Sequence, residues 1–511
     1  MTARYSIKGA AAAALLVAAA GCADLDVANP NEPDRERALK NGQDVEALVS
    51  GTFRTWWGVQ QGAMPTGGTN IAEAMAAASD ELANSGLGGT GEVADEPRIA
   101  AINEANYRWG DYLTYPWYNL SRSLAAIRDG LLSVKGGVKI GTNGADGPRF
   151  EAFAKLMQGL AFGDLALIYD KGFVLDETIA DPSTVTLIPY TEVMAQARKY
   201  LAQARDLAGK STFTIPTGWM GTASYPSQEL IRIASSYEAR YMVWVARTPA
   251  ERAAVDWNTV LIRVQQGITR DFGVQLDGPG GRWAAPHKGS IDPRMKLPYL
   301  GPADQSGGWQ RWEQSPPAAK LPFLIDTDDR RVTGGTPTSS GTLIKYWSDQ
   351  TASPARGLYF FSNYTSSVWT QIATTNLGFA PDITVQEMQY LAAEAYIRTN
   401  RPELALPIIN KTRVENGKLP PATVSGVSGP RCVPRTIKGA CGNLLETLAW
   451  EKQIMLPLIT QGSLYYDKRG FGTLRAGTWL QLPVPAKDLI SLKLPVYTFG
   501  GAGGVSTATG P

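Results

Sequence analysis

Apolar residues recur at three- and four-residue steps through much of the chain, and this spacing predicts helices from about residue 35 to residue 270. Residues 150–170 show it best. Phe150, Phe153, Ala154, Met157, Leu160, Ala161, Leu165 and Ile168 fall on one helical face. Gly159 and Gly163 lower helix propensity in that stretch, but they let a neighbouring helix come close. A second stripe follows Pro189 with Val193, Ala197, Leu201, Ala204 and Leu207. A third starts near Ser227 and carries Leu230, Ala234, Tyr241, Met242 and Val245. Thr248-Pro249-Ala250-Glu251 is a capping box with proline at the first helical position.

From 275 to 380 the pattern changes. Glycine and proline become frequent, helical spacing fades, and Thr342–Trp347 and Leu358–Phe361 read as short strands. A long loop-and-hairpin insert of this kind often carries function. Helical spacing returns at 384, where Thr384 and Glu387 form a capping box and Met388, Leu391, Ala392 and Ala395 share a face. Thr399-Asn400-Arg401 turns the chain. Pro402 then opens a partner helix with Leu404, Ala405, Ile408, Ile409 and Thr412, which ends at Asn416-Gly417. The pair has the size of a tetratricopeptide unit, roughly 34 residues. Asn443 and Glu446 cap a last helix that Pro457 should interrupt. The expected fold class is mainly α, with tetratricopeptide-like helix hairpins supporting an irregular, loop-rich region with a few short strands.

The first residues have a different character. Arg4 and Lys8 precede an uncharged run at 11–21, AAAALLVAAAG, which falls short of the ~20 residues a membrane-spanning helix needs. Ala19-Ala20-Gly21-Cys22 resembles the bacterial lipobox, and polar Ala23-Asp24 follows it. That resemblance implies a lipoprotein signal peptide over 1–21 and acylation at Cys22. The alternative is an ordinary secretory leader with a chance cysteine. Residues 23–34, ADLDVANPNEPD, suit an extended tether, so 22–34 is expected to be the acylated start and its spacer.

Charge and cysteine content narrow the chemistry. The chain has 49 Lys+Arg and 47 Asp+Glu, and removal of the leader's two basic residues leaves 47 of each. Nothing in that balance suggests nucleic acid, which calls for a basic face. After the leader no segment is long and apolar enough to cross a membrane, so the body is expected to be soluble on a lipid tether. Cys432 and Cys441 flank a short loop containing Pro434 and Gly439. In an exported protein they are disulfide candidates, and a metal or redox role is less favoured because the spacing is not CxxC. His287 is the single histidine. Ser-His-Asp triads, Cys-His dyads and multi-histidine zinc sites are thereby removed unless His287 alone serves, and it is expected to be a solvated loop residue. Asp326-Thr327-Asp328-Asp329 lacks the glycine turn and distal glutamate of a calcium loop, so a solvated or Arg330-paired cluster is expected. The glycine-rich pieces at 86–89 and 500–504 read as loop or tail. No metal and no cofactor are expected.

Aromatic residues supply the candidate chemistry. Fourteen tryptophans and twenty tyrosines are present. Sugar rings stack their C–H faces on aromatic rings and need polar side chains at their edges. Two polar, loop-like regions fit that need. One holds Tyr107, Trp109 and Tyr112 beside Asn106 and Arg108. The other holds Trp283, Trp309 and Trp312, with Gln310 and Arg311 between the last two. Ordinary packing competes for every tryptophan, and Trp117 and Trp244 are assigned to the core. Trp56, Trp57, Trp219 and Trp369 are weaker candidates.

Several segments, in order, resemble the SusD/RagB family of outer-membrane nutrient-uptake lipoproteins. They are Leu25-Asp26-Val27-Ala28-Asn29-Pro30-Asn31, Ser79-Asp80-Glu81, Trp117-Tyr118-Asn119 with Ala125-Ala126-Ile127, and the run from Ala161 to Asp170. Asp328-Asp329-Arg330, the hairpin from Glu394 to Arg413, Tyr466-Asp467-Lys468-Arg469-Gly470 and Leu482-Pro483-Val484-Pro485 continue the series. One departure is the run Trp450–Pro457, which lacks the second glutamate of the family's E-R-x-x-E-L helix. The resemblance implies one SusD-like domain over 35–511: helical over 35–270, an insert over 275–380, and a hairpin with the carboxyl-terminal region over 384–511. It implies a non-enzymatic lid, lipid-anchored in the outer membrane and facing outward. The lid captures oligosaccharide, or another oligomeric nutrient, for a SusC-like TonB-dependent β-barrel. The rival readings are a secreted glycoside hydrolase, which needs two facing carboxylates ~5–10 Å apart, and a tetratricopeptide scaffold that binds only protein.

Overall fold

The computed structural model describes residues 35–62, 69–83, 89–94, 96–288, 294–316, 319–348 and 361–501. The leader, Cys22 and the tether lie outside the described residues.

Helix Gly147–Ile168 occupies the centre, and every residue from Leu156 to Ile168 is buried. Asp111–Lys135 packs on it, and Tyr190–Lys210 runs along it more extensively than any other helix pair. The glycines within it are sterically required. A Cβ on Gly163 would lie 2.2 Å from the Tyr241 ring, and one on Gly159 would lie 2.6 Å from Leu201. The carboxyl end of this helix is closed by two buried arginines. Arg247 donates to the carbonyls of Ala166 (3.0 Å) and Tyr169 (2.8 Å), and Arg469 donates to that of Leu167 (3.0 Å). The negative end of the helix favours such cations.

From this centre the helices follow one another as packed neighbours. Ser227–Trp244 lies against Tyr190–Lys210 and Trp257–Gln265, and Trp257–Gln265 lies against Val385–Arg398. Val385–Arg398 pairs with Pro402–Glu415, and both meet Leu444–Met455. This is the expected tetratricopeptide-like stacking of helix hairpins, each burying the face its neighbour exposes. Thr248, Thr384 and Asn443 each accept the backbone N–H three residues on, but only at Asn443 is the capping box closed, by Glu446. Glu251 accepts instead from the Arg247 N–H, and Glu387 is drawn to Arg240. Leu444–Met455 stops just before Pro457. No described helix is long and apolar enough to cross a membrane.

The insert leaves and returns through one antiparallel ribbon, Phe272–Asp277 against Leu377–Ile383. Gly273 is needed there, because a Cβ would sit 2.1 Å from the Ala380 carbonyl. Within the insert, Phe361–Ser366 is the middle strand between Arg294–Lys296 and Ile344–Tyr346. Of the apolar run Leu358–Phe361 read as a strand, 358–360 lie outside the described residues. The sheet's apolar face (Met295, Ile344 and Tyr364) joins Tyr299, Leu300 and Ile325 in a second core with Trp450 and Ile454 from Leu444–Met455. That contact seats the insert on the helices.

Three buried arginines pair with carboxylates across elements. Arg240 meets Asp382 (2.9 Å) and Glu387 (2.6 Å), and Arg252 meets Glu394 (2.7 Å) and Asp467 (2.9 Å). Arg331 meets Asp329 (2.7 Å) and Glu451 (2.9 Å). The acidic run is therefore not a solvated or Arg330-paired cluster. Asp329 is buried against Arg331, while Asp326 and Asp328 pair at the surface with Arg431. His287 also departs from its expectation as a solvated loop residue. It is 1% exposed, and neither ring nitrogen has a hydrogen-bond partner among the described residues. Burial, and then the neighbouring Lys288 charge, pull its pKa down to about 3, so the ring is neutral and packs as an apolar group.

Burial opposes ionisation of Glu394, but Arg252, supported by Lys452 and Arg398, holds the carboxyl down to about 2. The stability this ion pair contributes is complete above the ordinary glutamate value of about 4.3 and is lost as pH falls from there towards 2. Glu394→Gln should destabilise the fold at neutral pH by about 3–5 kcal/mol, because it leaves Arg252 buried with a partner removed. The variant's unfolding free energy should fall less steeply than the parent's below pH 4.3, which denaturant titrations across that range will show.

Candidate functional site

A groove of about 570 Å3 lies between the insert and the carboxyl-terminal helices. Its walls come from segments far apart in sequence. Helix Gly308–Gln314 supplies Trp309 and Glu313; the loop after Val433 supplies Pro434, Arg435, Thr436 and Ile437. Helix Leu444–Met455 supplies Trp450 and Gln453, and the turn after Ser463–Phe471 supplies residues 472–476.

Trp309 is positioned by a relay of charges that starts at Asp80. Its indole N–H donates to Glu313 (3.1 Å), Glu313 accepts from both terminal nitrogens of Arg475 (3.0 and 2.9 Å), and Arg475 Nε donates to Asp80 (2.5 Å). Asp80 sits in a left-handed backbone conformation (φ 61°) just after Ile71–Ala78 and also binds Arg98 (2.9 Å) and Lys296 (2.8 Å). Burial resists its charge, but Arg475, Lys296, Arg98 and Lys468 overrule that and hold it well below the ordinary aspartate range. The back of the Trp309 ring rests on Gly301, where any Cβ would come within 2.5 Å of it. The groove thus presents an aromatic edge locked by hydrogen bonds and charges, surrounded by amide and hydroxyl groups and by acids and bases in equal number: Asp80, Glu313 and Glu446 against Arg435, Lys468 and Arg475. Such a surface suits an uncharged polyhydroxyl ligand.

The second wall depends on the cysteines. A disulfide joins Cys432 and Cys441 across nine residues and closes the loop whose inner side carries Pro434–Ile437. Arg435 is fixed within that loop by Gln305 (2.8 Å) and the carbonyls of Gly439 (2.9 Å) and Pro430.

The structure divides the sequence candidates. Trp309 lines the groove. Trp312 lies behind it, 3% exposed, with Lys320 (3.8 Å) and Arg475 (5.2 Å) at its ring. Both tryptophans stand on a helix and not in a loop, and their three-residue spacing turns both inward. Trp283 does not line the groove: it is 3% exposed, packed edge-on against Phe53 in the main core. Trp56, Trp57 and Tyr112 are likewise core residues. Tyr107 and Trp109 do not line the groove. They sit half-buried in turns before Asp111–Lys135, with Tyr107 bound to Glu92 and Trp109 covered by Arg108 (4.2 Å). Sequence reasoning missed Arg435, Thr436, Gln453 and Arg475. For the first two a signal existed, since both lie inside the cysteine loop. Among the described residues no group of three or more His, Cys, Asp or Glu side chains is placed to hold a metal ion.

No known family profile matches the chain, and no curated protein matches it. Solved structures do. NanU of Bacteroides fragilis aligns over 93% of this chain and 99% of its own at 13% identity, with a TM-score of 0.57. A SusD superfamily protein of Bacteroides vulgatus aligns over 89% and 97% at 13% identity, with a TM-score of 0.54. A SusD-like carbohydrate-binding protein of Bacteroides fragilis aligns over 84% and 86% at 13% identity, with a TM-score of 0.50. The fold is SusD-like. At this identity the likeness concerns architecture, and the side chains of the SusD-like groove have to be judged on their own chemistry.

Two expectations follow. Trp309→Ala should weaken oligosaccharide binding by about tenfold, ~1.4 kcal/mol, in calorimetric titrations, with far-UV circular dichroism unchanged. Trp109→Ala should leave those isotherms as they are. Reduction of the unfolded mature protein should release both thiols of the Cys432–Cys441 pair. An unchanged thiol count would exclude the bridge.

Proposed function

We propose that this protein captures oligosaccharides at the cell surface and hands them to a SusC-like TonB-dependent outer-membrane barrel. The observation that carries the reading is Trp309, held rigid by the Glu313–Arg475–Asp80 relay in an open groove of a SusD-like fold. A preorganised aromatic edge costs little ordering on binding, which favours capture. Support also comes from the neighbour described as carbohydrate-binding. The groove's own carboxylates argue against hydrolysis. Of its three, Asp80 and Glu313 are both tied to Arg475, which leaves Glu446 without the second, uncommitted carboxyl that a glycosidase needs.

The leader and Cys22 complete the reading. Acyl chains on that cysteine would hold the protein at the outer membrane, since each buried methylene adds ~0.8 kcal/mol, and the 22–34 tether would let the body face outward. The test has two parts. Incubated with a panel of oligosaccharides, the mature protein should bind at least one saturably and release no shorter product. Extraction of the outer membrane in mild detergent should co-purify a β-barrel with the acylated protein. Product formation would replace the reading with a hydrolase. An unmodified mature terminus on a protein free in the periplasm would remove the anchoring and delivery steps.

A further inference from the structure

A second cavity, of about 220 Å3, opens beside the insert's three-stranded sheet and the short helix Thr370–Thr375. Its chemistry differs from that of the main groove. The groove mixes Asp80, Glu313 and Glu446 with Arg435, Lys468 and Arg475. Among the described residues the cavity is lined by two lysines, Lys288 and Lys345, and by no carboxylate. Two tryptophans, Trp347 and Trp369, and several serine and threonine hydroxyls complete it.

Lys288 is the unusual member. It is 1% exposed. Its ammonium donates to Gln61 Oε1 (2.6 Å) and to the Ile459 carbonyl, and it lies 5.2 Å from the Trp369 ring. None of these groups carries a negative charge. The other buried lysines, Lys296, Lys320 and Lys452, each reach a carboxylate. Asp382 acts on Lys288 electrostatically but is committed to Arg240, Tyr237 and Thr460. A buried ammonium without a counter-charge is expensive to keep, and burial pulls the Lys288 pKa down to about 7, so an arriving carboxylate would restore its charge; the side chain lines the cavity.

We propose that the cavity binds one acidic sugar ring, with its carboxylate answering Lys288 and Lys345 and its C–H face on Trp347 or Trp369. Trp347 is 38% exposed, with Arg294 over its ring at 4.9 Å, so part of its surface remains open to a ligand. The volume is below the ~300–1,000 Å3 of drug-sized sites and suits a single ring. Ser367, Thr370 and Thr374 donate their hydroxyl protons to backbone carbonyls, which leaves their oxygens as acceptors for sugar hydroxyls. This inference goes beyond the oligosaccharide groove and does not depend on it.

D-Glucuronate and D-glucose, titrated separately into the full mature protein by calorimetry, decide the matter. Glucuronate should bind about tenfold tighter or better, the worth of one charge-assisted hydrogen bond. Lys288→Met should remove that preference. Trp347→Ala, which alters a well-exposed side chain and so leaves the core intact, should weaken glucuronate binding. Trp309→Ala should leave it unchanged. Equal affinities, no binding of glucuronate, or binding that survives both Lys288→Met and Trp347→Ala would overturn the proposal. Loss of glucuronate binding in Trp309→Ala would also overturn it, by moving the ligand to the main groove, and would leave the oligosaccharide reading standing.

Discussion

Buried charge that must be paired governs this architecture. An arginine withdrawn from water is tolerable only where carboxylates or carbonyls meet it with good geometry. Arg240, Arg252 and Arg331 each satisfy that condition by drawing acids from two different segments. Asp382 lies at the neck of the insert, Asp329 inside it, and Glu451 on the helix beneath it. The pairs therefore fix where a region of irregular backbone sits relative to a helical scaffold. Apolar contacts such as Met295 and Tyr364 against Trp450 and Ile454 supply adhesion there, but they tolerate sliding more readily than a bidentate ion pair does.

The same logic extends outward to the groove. Asp80 is neutralised by Arg98 and Lys296, and it holds the Arg475 that orients Glu313 and, through it, Trp309. A helix at one end of the chain, an insert helix and a carboxyl-terminal turn thus converge on one indole. The two cavities part company on charge. The groove balances acids and bases on its walls, whereas among the described residues the charged groups lining the smaller cavity are lysines, one of them buried and hydrogen-bonded to uncharged groups.

Many charged residues in the segments that carry the family resemblance belong to this network. Asp80, Asp329, Glu394, Asp467 and Arg469 pair inside the protein or cap a helix end, and of these only Asp80 touches the groove. The resemblance therefore reads the scaffold. Lys452, on the helix that lacks the second glutamate of the family's pattern, pairs with Asp467 at 2.7 Å.

The long amphipathic helices, their N-cap residues and the close-packing glycines were legible along the chain, because each depends on residues within a turn or two of one another; the short helix Gly308–Gln314, in a glycine- and proline-rich stretch, was not. Three- and four-residue spacing is a local property, and so is the stop before Pro457. The fate of each tryptophan was not. Trp283, Trp309 and Trp312 share one glycine- and proline-rich region, yet one fills the main core, one edges a groove and one is wedged behind it. Burial is settled by what folds back from a hundred or more residues away: Phe53 against Trp283, Arg475 against Trp312, the 432–441 loop opposite Trp309. His287 and Asp329 were misjudged for the same reason: the Gln61 carbonyl that meets the His287 backbone N–H, and the Trp450 and Glu451 side chains that meet Asp329 and its neighbour Arg331, come from distant segments that no local pattern records.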